Sequence, residues 1–371
     1  MAYDGKPLVE LLATVPVLAA VMGSVAGGPA GFAMMSHWSC MVRGTSHLFT
    51  AGPPVVKRSL GLDVDKEQLG GSHLHTHVSG AVDNEAEDED DCLWQVRAVL
   101  SYLPSNVWSA PPYKPPSDPP DRREEELLSI IPRNKKTPYD MHRLVRLVVD
   151  DAELFEIQPF WGASVITGFA RLNGHATGIL ASNPMVKAGA IDHEAAEKQA
   201  RFMELCDQFS IPLVYFADVP GLMVGPDAEA HAVIRKGMRA FWVAHSITVP
   251  LISVTIRRSY GFGGEVTSCG PRTAARFAWP SAEFGAIPIE GGVDASFKRV
   301  IESAPDPETK RQEIIDRLAR LTSPFPVAEQ LGVGDLIDPR ETRPRLIRAL
   351  ETTIPSIGHS RGVKSRLGIR P

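Results

Sequence analysis

Two stretches of this sequence share one pattern, and the repeat limits the folds open to the chain. Each stretch begins with Thr-Val-Pro, continues as an apolar run and closes on a Gly-Gly pair, at residues 14–28 and again at residues 248–264. Gly27 and Gly263 are separated by 236 residues, which is too long for a solenoid unit and typical of two copies of one domain. An apolar run bounded by Pro and Gly predicts a strand buried on both faces of a parallel sheet.

The glycine pairs Gly27-Gly28 and Gly263-Gly264 follow these predicted strands directly. Glycine lets the backbone turn sharply and approach a ligand, so that amides at the start of a following helix point at an anion. An oxyanion hole can be built from such a turn. One Gly-Gly pair after a strand is equally well explained as a tight turn, and the repetition in matched settings favours the functional interpretation.

The sequence after residue 136 alternates between strand and helix patterns. Two strand-like runs flank Asn173-Gly174, a strong hairpin signal, and Asp192 is placed to cap the next helix. Residues 211–217 read as a buried strand, and a second amphipathic helix leads to the repeat at Thr248. This order predicts an α/β fold in which crossover helices connect parallel strands.

The repeat also predicts the domain organisation. In the second copy a hairpin, helices and a strand precede Thr-Val-Pro, whereas only 13 residues precede it in the first. We therefore expect residues 1–110 to be the back half of a first domain and residues 136–371 to be a complete second domain. Residues 111–135, which begin inside the proline-rich stretch 104–120, read as an extended linker. A half domain leaves a sheet edge uncovered, which predicts a preceding chain or a close partner that supplies the missing half, or a truncated gene product.

Composition limits the classes of binding partner and the cellular compartments that fit this chain. The net charge is −5, and no Lys/Arg cluster is interleaved with aromatics, which argues against nucleic-acid binding. Cys40, Cys92, Cys206 and Cys269 stand far apart, without a C-x-x-C pair, so a reducing compartment such as the cytoplasm is expected. The apolar N-terminal stretch lacks a basic start and is broken by Pro16, which argues against a signal peptide or a membrane span.

Two segments rich in titratable side chains are candidate metal sites. His73, His75 and His77 alternate and would share one face of a strand, but no Cys or carboxylate falls at a complementary spacing. The acidic run at residues 83–91 lacks the glycine turn of a Ca²⁺ loop and is interpreted as a solvated helix start. The sequence therefore predicts no metal site.

Six motifs in order carry a family resemblance: AVMGSVAGGPA, LFTAGPPVV, a GG…HTHVSG segment, GILASNPMVKAGAID, FADVPGLMVG and RRSYGFGGE. Together they resemble the carboxyltransferase β-type subunits of biotin-dependent acyl-CoA carboxylases, such as the propionyl-CoA and methylcrotonyl-CoA carboxylases. The resemblance implies tandem crotonase-like ββα spiral domains of the ClpP/crotonase superfamily, with the first incomplete. It also implies transfer of CO₂ from carboxybiotin to the α-carbon of an acyl-CoA, through a thioester enolate and without a metal.

The resemblance implies that backbone amides hold the two anions. Gly27 and Gly28 are expected at the thioester enolate, and Gly263 and Gly264 at the biotin carbonyl. Gly221, in the turn after the preceding strand, matches the second donor of the crotonase pattern.

Four further residues near the second glycine pair are candidates. Tyr260, Phe262 and Val266 are expected to contact substrate, and the family pattern implicates the position of Val266 in the choice of acyl group. Glu265 stands on the turn and is a candidate general base, although a carboxylate there is equally a helix N-terminal charge favoured by the dipole.

Partners follow from motifs that the chain lacks. It has no A-M-K-M-like biotinylation site and no G-x-x-x-x-G-K-[ST] loop, so a biotin carboxylase and a biotin carboxyl carrier chain are expected as separate partners. The resemblance implies a homo- or hetero-oligomer, with a hexameric trimer of dimers as the family's arrangement.

Three other functions remain open at this point. A biotin-dependent acyl-CoA decarboxylase would use the same site in reverse. A crotonase-like hydratase or isomerase would use Glu265 and no biotin. The chain is also consistent with an inactive assembly subunit, because half of one domain is missing from the pattern.

Overall fold

The computed structural model describes residues 6–268, 272–287, 289–330 and 332–364. Its strands, in chain order, are β1 (Leu18–Val21), β2 (Ser24–Ala26), β3 (Trp38–Val42), β4 (His47–Phe49), β5 (Asn84–Ala86), β6 (Phe155–Ile157), β7 (Val165–Leu172), β8 (His175–Ser182), β9 (Leu213–Val219), β10 (Leu251–Tyr260), β11 (Thr273–Ala278), β12 (Glu283–Gly285) and β13 (Asp335–Leu336). Its helices are α1 (Lys6–Leu12), α2 (Gly28–Met34), α3 (Pro53–Leu60), α4 (Lys66–Gly70), α5 (Glu89–Leu100), α6 (Met141–Val148), α7 (His193–Gln208), α8 (Pro226–Ala230), α9 (Val233–Ser246), α10 (Gly261–Ser268), α11 (Ile289–Ser296), α12 (Lys298–Glu302), α13 (Pro307–Thr322), α14 (Pro324–Glu329) and α15 (Thr342–Ile357).

The second part of the chain builds an eight-stranded mixed sheet. Its strand order is β13-β11-β10-β9-β8-β7-β6, and β12 pairs with β10 off this path. Strands β8 to β11 run parallel, with α7 and α9 as crossovers, and β6, β7 and β8 are antiparallel neighbours. The predicted hairpin is confirmed, because Asn173 and Gly174 both have positive φ, 49° and 79°, as a two-residue turn of this type requires. The predicted cap is confirmed too, since the Asp192 carboxylate accepts the Ala195 N–H at 2.8 Å.

The repeat found in the sequence is also a repeat in three dimensions. In the first copy the apolar run divides in two, and β1 pairs with β3 while β2 pairs with β4, both in parallel. In the second copy one continuous strand, β10, makes both pairings, to β11 with its first half and to β12 with its second half. A helix follows each run, α2 in the first copy and α10 in the second.

The segment predicted as a linker is packed against the main sheet. The Lys114 N–H donates to the Gly174 carbonyl at 3.1 Å, and the Arg171 guanidinium donates to the Pro112 carbonyl at 2.9 Å. A 3-10 turn spans Glu125–Leu128, and Leu127 is buried. Proline does exclude helix and strand from most of this segment, but its carbonyls and apolar side chains bind it to the hairpin.

The largest core is shared between the two parts of the chain. Trp38 and Cys40 of β3 pack in the same buried cluster as Phe202 of α7 and Tyr215 of β9. The domain boundaries at residues 110 and 136 stay a prediction, because this core crosses them.

The acidic run differs from its prediction in the first residues. Asp83 is 2% exposed, accepts the Ser39 N–H at 2.8 Å and pairs with Arg201 at 3.2 Å. Burial raises the pKa of Asp83, and Arg201 opposes this shift. Asn84 begins β5, and the predicted helix starts only at Glu89, capped by Asp88. The interpretation as a solvated helix start is therefore wrong for Asp83 and Asn84.

The histidine segment forms a π-helical turn, Leu74–Val78, and not the strand on which the three side chains would share a face. His75 Nε2 lies 2.7 Å from the Leu48 carbonyl, and the His77 ring stacks on Phe160 at 4.2 Å. In the described ranges, no three His, Cys, Asp or Glu residues gather as metal ligands. No described helix has both the length and the apolar content needed to cross a membrane.

Candidate active site

The carboxyl ends of β9 and β10 bring two glycine turns into contact. Gly221 follows β9 with a φ of 130°, and Gly261 opens α10 directly after β10 with a φ of 53°. A Cβ added to Gly263 would stand 2.8 Å from the Cα of Gly221. This approach requires glycine at Gly263, whereas glycine at Gly221 is favoured by its positive φ, because a Cβ there would meet only the Tyr260 carbonyl, at 3.9 Å.

The two glycines at this contact each carry a backbone amide donor. Among the described residues, neither the Gly221 N–H nor the Gly263 N–H donates to a protein acceptor. Gly263 is buried, and a buried N–H without a partner costs about 1–3 kcal/mol. Two such donors at neighbouring strand ends are suited to an oxygen that carries negative charge. Gly264, the other predicted donor, is engaged with another group.

A buried ion-pair cluster holds the two strand ends in place. Asp218 is the centre of this cluster, with its carboxylate 3.0 Å from Nη2 of Arg257 and 2.6 Å from Nε of Arg258. It also accepts the Arg258 N–H at 3.1 Å, and its own N–H donates to Ser182 Oγ at 3.1 Å. The sequence analysis did not single out Asp218, although Asp beside the Pro-Gly turn and Arg-Arg near the end of the next strand were both visible signals.

The first glycine pair offers one free donor. The Gly27 N–H already donates to the Phe49 carbonyl at 3.2 Å, and its φ of 67° turns the chain into α2. Gly28 is exposed and opens that helix. Among the described residues its N–H has no protein acceptor. This turn follows a strand of the two-stranded sheet and the Gly263 turn follows a strand of the main sheet.

The predicted substrate-binding side chains have different environments. Phe262 is 55% exposed beside the Gly263 turn and lies edge-on to Phe241. Tyr260 is buried, and its hydroxyl donates to Glu283 at 3.2 Å. Val266 is fully buried in the shared core, and its expected contact with an acyl group stays a prediction. The side chain of Glu265 lies outside what the structure describes.

The paired sheets, the repeated strand-turn-helix units and the amide donors at strand ends are those of a crotonase-like α/β protein, the predicted fold. Residues 7–357 match the carboxyl transferase domain family. The chain belongs to that family, which confirms the resemblance found in the sequence.

Curated relatives and solved structures agree with this assignment. The chain is 38% identical over 343 residues to the propionyl-CoA carboxylase carboxyltransferase subunit of Haloferax mediterranei, covering 92% of this chain and 66% of that protein. It is 37% identical over 338 residues to the methylmalonyl-CoA decarboxylase subunit alpha of Veillonella parvula, covering 91% of this chain and 65% of that protein. The chain thus spans just under two thirds of these relatives.

Among solved structures, the hexameric transcarboxylase 12S with methylmalonyl-coenzyme A and methylmalonic acid bound superimposes with a TM-score of 0.89. Its sequence identity to this chain is 31%, and the match covers 98% of this chain and 69% of that one. A single-chain long-chain acyl-CoA carboxylase matches with a TM-score of 0.80 and 25% identity, over 93% of this chain and 33% of that one.

Proposed function

We propose that this chain is an acyl-CoA carboxyltransferase, the component of a biotin-dependent carboxylase that moves a carboxyl group to the α-carbon of an acyl-CoA. The observation that carries the proposal is the contact of Gly221 with Gly263, where two amide donors have no acceptor in the described protein. Carboxybiotin, delivered by a partner protein, supplies the CO₂ and the base that takes the α-proton.

Backbone amides are suited to the two oxygens that become negatively charged in this reaction. Gly221 and Gly263 would donate to the ureido oxygen of biotin, and Gly28 to the oxygen of the thioester enolate. Each donor is part of the backbone and needs no reorganisation when the charge forms, which is why such sites are effective. Gly27 acts on the geometry of the first turn, because its own amide is bonded to Phe49.

The expected partner proteins and the expected cellular compartment belong to the same proposal. A biotin carboxylase and a biotin carrier chain would supply carboxybiotin, and a hexameric trimer of dimers would bring first and second domains of different copies together. The division at residues 110 and 136 and a cytoplasmic location stay predictions.

A decarboxylase is the second candidate, and the Veillonella parvula relative favours it. The two candidates share every residue named above and differ in the direction of net transfer. Net carboxylation in the presence of a biotin carboxylase and ATP supports the first, and net decarboxylation coupled to a membrane subunit supports the second.

The test uses the full chain with free biotin and methylmalonyl-CoA, and it measures biotin-dependent release of propionyl-CoA by chromatography. Gly263→Pro removes the donor and adds a Cβ that crowds the Gly221 backbone, whereas Gly263→Ala adds the same Cβ and keeps the N–H. The rate should therefore be lower in Gly263→Pro than in Gly263→Ala by a factor of about 10²–10³. Gly358→Ala is the control, because a Cβ there meets nothing within 4 Å.

Two results would contradict the proposal. A Gly263→Pro protein that is as active as Gly263→Ala would contradict the assignment of the Gly263 amide as a donor. If the wild-type chain shows no biotin-dependent release of propionyl-CoA, the chain is an inactive subunit instead. Glu265→Ala should leave the rate within about threefold if the amides and biotin do the chemistry, whereas enoyl-CoA hydration that depends on Glu265 would identify a crotonase-like hydratase.

A further inference from the structure

Three polar side chains in the first part of the chain form a relay that the proposed carboxyl transfer does not use. Ser24 of β2 and His47 of β4 are register partners, and Ser24 Oγ lies 3.0 Å from His47 Nδ1. On the other side of the ring, His47 Nε2 lies 3.3 Å from Oε2 of Glu67. A carboxylate at Nε2 favours the tautomer with the proton on that nitrogen, so Nδ1 accepts the hydrogen bond from the serine hydroxyl.

Local structure holds each member of this relay. The His47 N–H donates to the Gly23 carbonyl at 3.2 Å, which aligns β4 with β2. Helix α4 begins with a capping box between Asp65 and Gln68, and Glu67 lies in its first turn. The His47 side chain is only 13% exposed, whereas Ser24 is exposed. The ring is therefore fixed while the hydroxyl remains accessible.

Lys66 completes the arrangement around the hydroxyl. Its Nζ lies 3.4 Å from Ser24 Oγ, so the oxygen accepts from an ammonium while it donates to His47. A cation at this distance stabilises negative charge on the serine oxygen, or on the former carbonyl oxygen of the acyl carbon that the serine attacks.

The hydroxyl also borders a space for an acyl group. An open cavity of about 300 Å³ is lined by residues 19–25 and Ala33, and Ser24 is the one side chain among them with a hydroxyl. That volume is at the lower end of ligand pockets, which suits a short acyl chain more than a long one.

The geometry points to a second catalytic centre in which Ser24, His47 and Glu67 hydrolyse short-chain acyl esters and thioesters. The nucleophile, its base and the group that orients the base lie within hydrogen-bond reach in the order that nucleophilic acyl transfer requires. The choice of an acyl thioester as the natural substrate rests on the proposed function. Hydrolysis of simple esters does not.

The reaction balances with water as the only co-reactant. His47 Nδ1 takes the proton of Ser24 Oγ as the oxygen attacks the acyl carbonyl, and the C–S or C–O bond then breaks. The leaving thiolate or alkoxide takes that proton from His47. Water, deprotonated by His47, attacks the acyl-serine ester, which releases the carboxylic acid and returns a proton to Ser24.

The experiment follows p-nitrophenyl acetate hydrolysis by the full chain and labelling by a fluorophosphonate, with the labelled residue identified by peptide mass spectrometry. We expect the label on Ser24. Ser24→Ala and His47→Gln should each lower the hydrolysis rate by about 10² or more, and Glu67→Gln by about tenfold or more. Thermal unfolding of each variant shows whether the fold is retained.

Ser79→Ala is the matched control. Ser79 Oγ lies 3.2 Å from His75 Nδ1, but the other nitrogen of His75 faces a backbone carbonyl and not a carboxylate. This variant should hydrolyse the ester at the wild-type rate. A label on another residue, or full hydrolysis by a folded Ser24→Ala protein, would overturn the proposal. The ester assay contains neither biotin nor CoA, so its failure and that of the carboxyl-transfer assay are scored separately.

Discussion

At the scale of single residues, the chemistry assigned to this chain depends on backbone more than on side chains. In the proposed reaction Gly221, Gly263 and Gly28 would contribute amides, and a glycine is required at Gly263 because a Cβ would collide with the Gly221 backbone. Side chains carry the chemistry only in the separately proposed hydrolytic centre of Ser24, His47 and Glu67. A substitution can therefore impair one proposed activity without removing a reacting group of the other.

A residue-scale prediction concerns Lys198, which is 1% exposed and donates to the Gln158 carbonyl at 2.7 Å. Burial lowers the pKa of Lys198 to about 8, while Glu156 and Asp192 oppose the shift. Between pH 8 and the ordinary value near 10.4, the unfolded chain binds more protons than the folded one. This residue therefore makes the free energy of unfolding rise with pH across that window, by on the order of 3 kcal/mol.

Urea denaturation at pH 8 and at pH 10 tests this point. Lys198→Met should remove the rise, so that the difference in stability between variant and wild type changes across the window. Lys57→Met is the control for the loss of one lysine, because the Lys57 side chain is 65% exposed. Parallel curves for wild type and Lys198→Met would show that Lys198 titrates normally.

At the scale of elements, the ends of β9 and β10 are joined by charge as well as by the sheet ladder. Asp218 is fully buried between Arg257 and Arg258, and Arg257 is only 4% exposed. The guanidinium of Arg257 also donates to the Lys135 and Thr137 carbonyls, so it links the strand ends to the segment before α6. This cluster positions the turns that carry Gly221 and Gly263.

Asp218→Asn tests the cluster. The substitution keeps the shape but leaves Arg257 buried without its counter-charge, and we expect a loss of about 3–5 kcal/mol in the free energy of unfolding. Asp294→Asn is the control, because Asp294 pairs with Arg311 at 56% exposure and should cost no more than about 1 kcal/mol. Urea denaturation measures both. Equal losses in the two variants would mean that burial does not strengthen the Asp218 pairs.

At the scale of the whole molecule, one apolar core joins the part before the proline-rich segment to the part after it. Trp38 and Phe202 belong to the same buried cluster, and Asn84 of β5 donates to the Glu156 carbonyl at 3.0 Å. A shared core makes the two parts unfold together, because separating them exposes apolar surface on both.

We therefore expect one cooperative unfolding transition. Trp38 in the shared core and Trp279, which donates to Thr342 in the second part, are buried reporters of the two regions. In a Trp38→Phe protein, the urea midpoint followed by tryptophan fluorescence should equal the midpoint followed by circular dichroism. The same agreement is expected within a Trp279→Phe protein, even where the two variants differ in stability. Separate midpoints would show that residues 1–110 and 136–371 are independent domains.

The elements and the family were predictable because both depend on patterns carried by neighbouring residues. Asn173-Gly174 predicts a hairpin from its own dihedral preferences, and Asp192 caps the helix that follows it. The repeated Thr-Val-Pro and Gly-Gly runs predicted two equivalent strand-turn-helix units, which β1, β2 and β10 confirm. The family assignment came from six such motifs in order.

The tertiary structure decided which of the candidate groups are free, buried or paired. In the structure the Gly27 amide donates to Phe49, Val266 lies in the core and Gly264 is engaged with another group, while Gly221, already expected as a donor from the sequence, lies against Gly263. The tertiary structure also joined Ser24 to His47 and Glu67, and Asp218 to Arg257, across long separations in the chain. Local preferences arise within a few residues of sequence, whereas a hydrogen bond or an ion pair between distant segments exists only once the sheets have set their register.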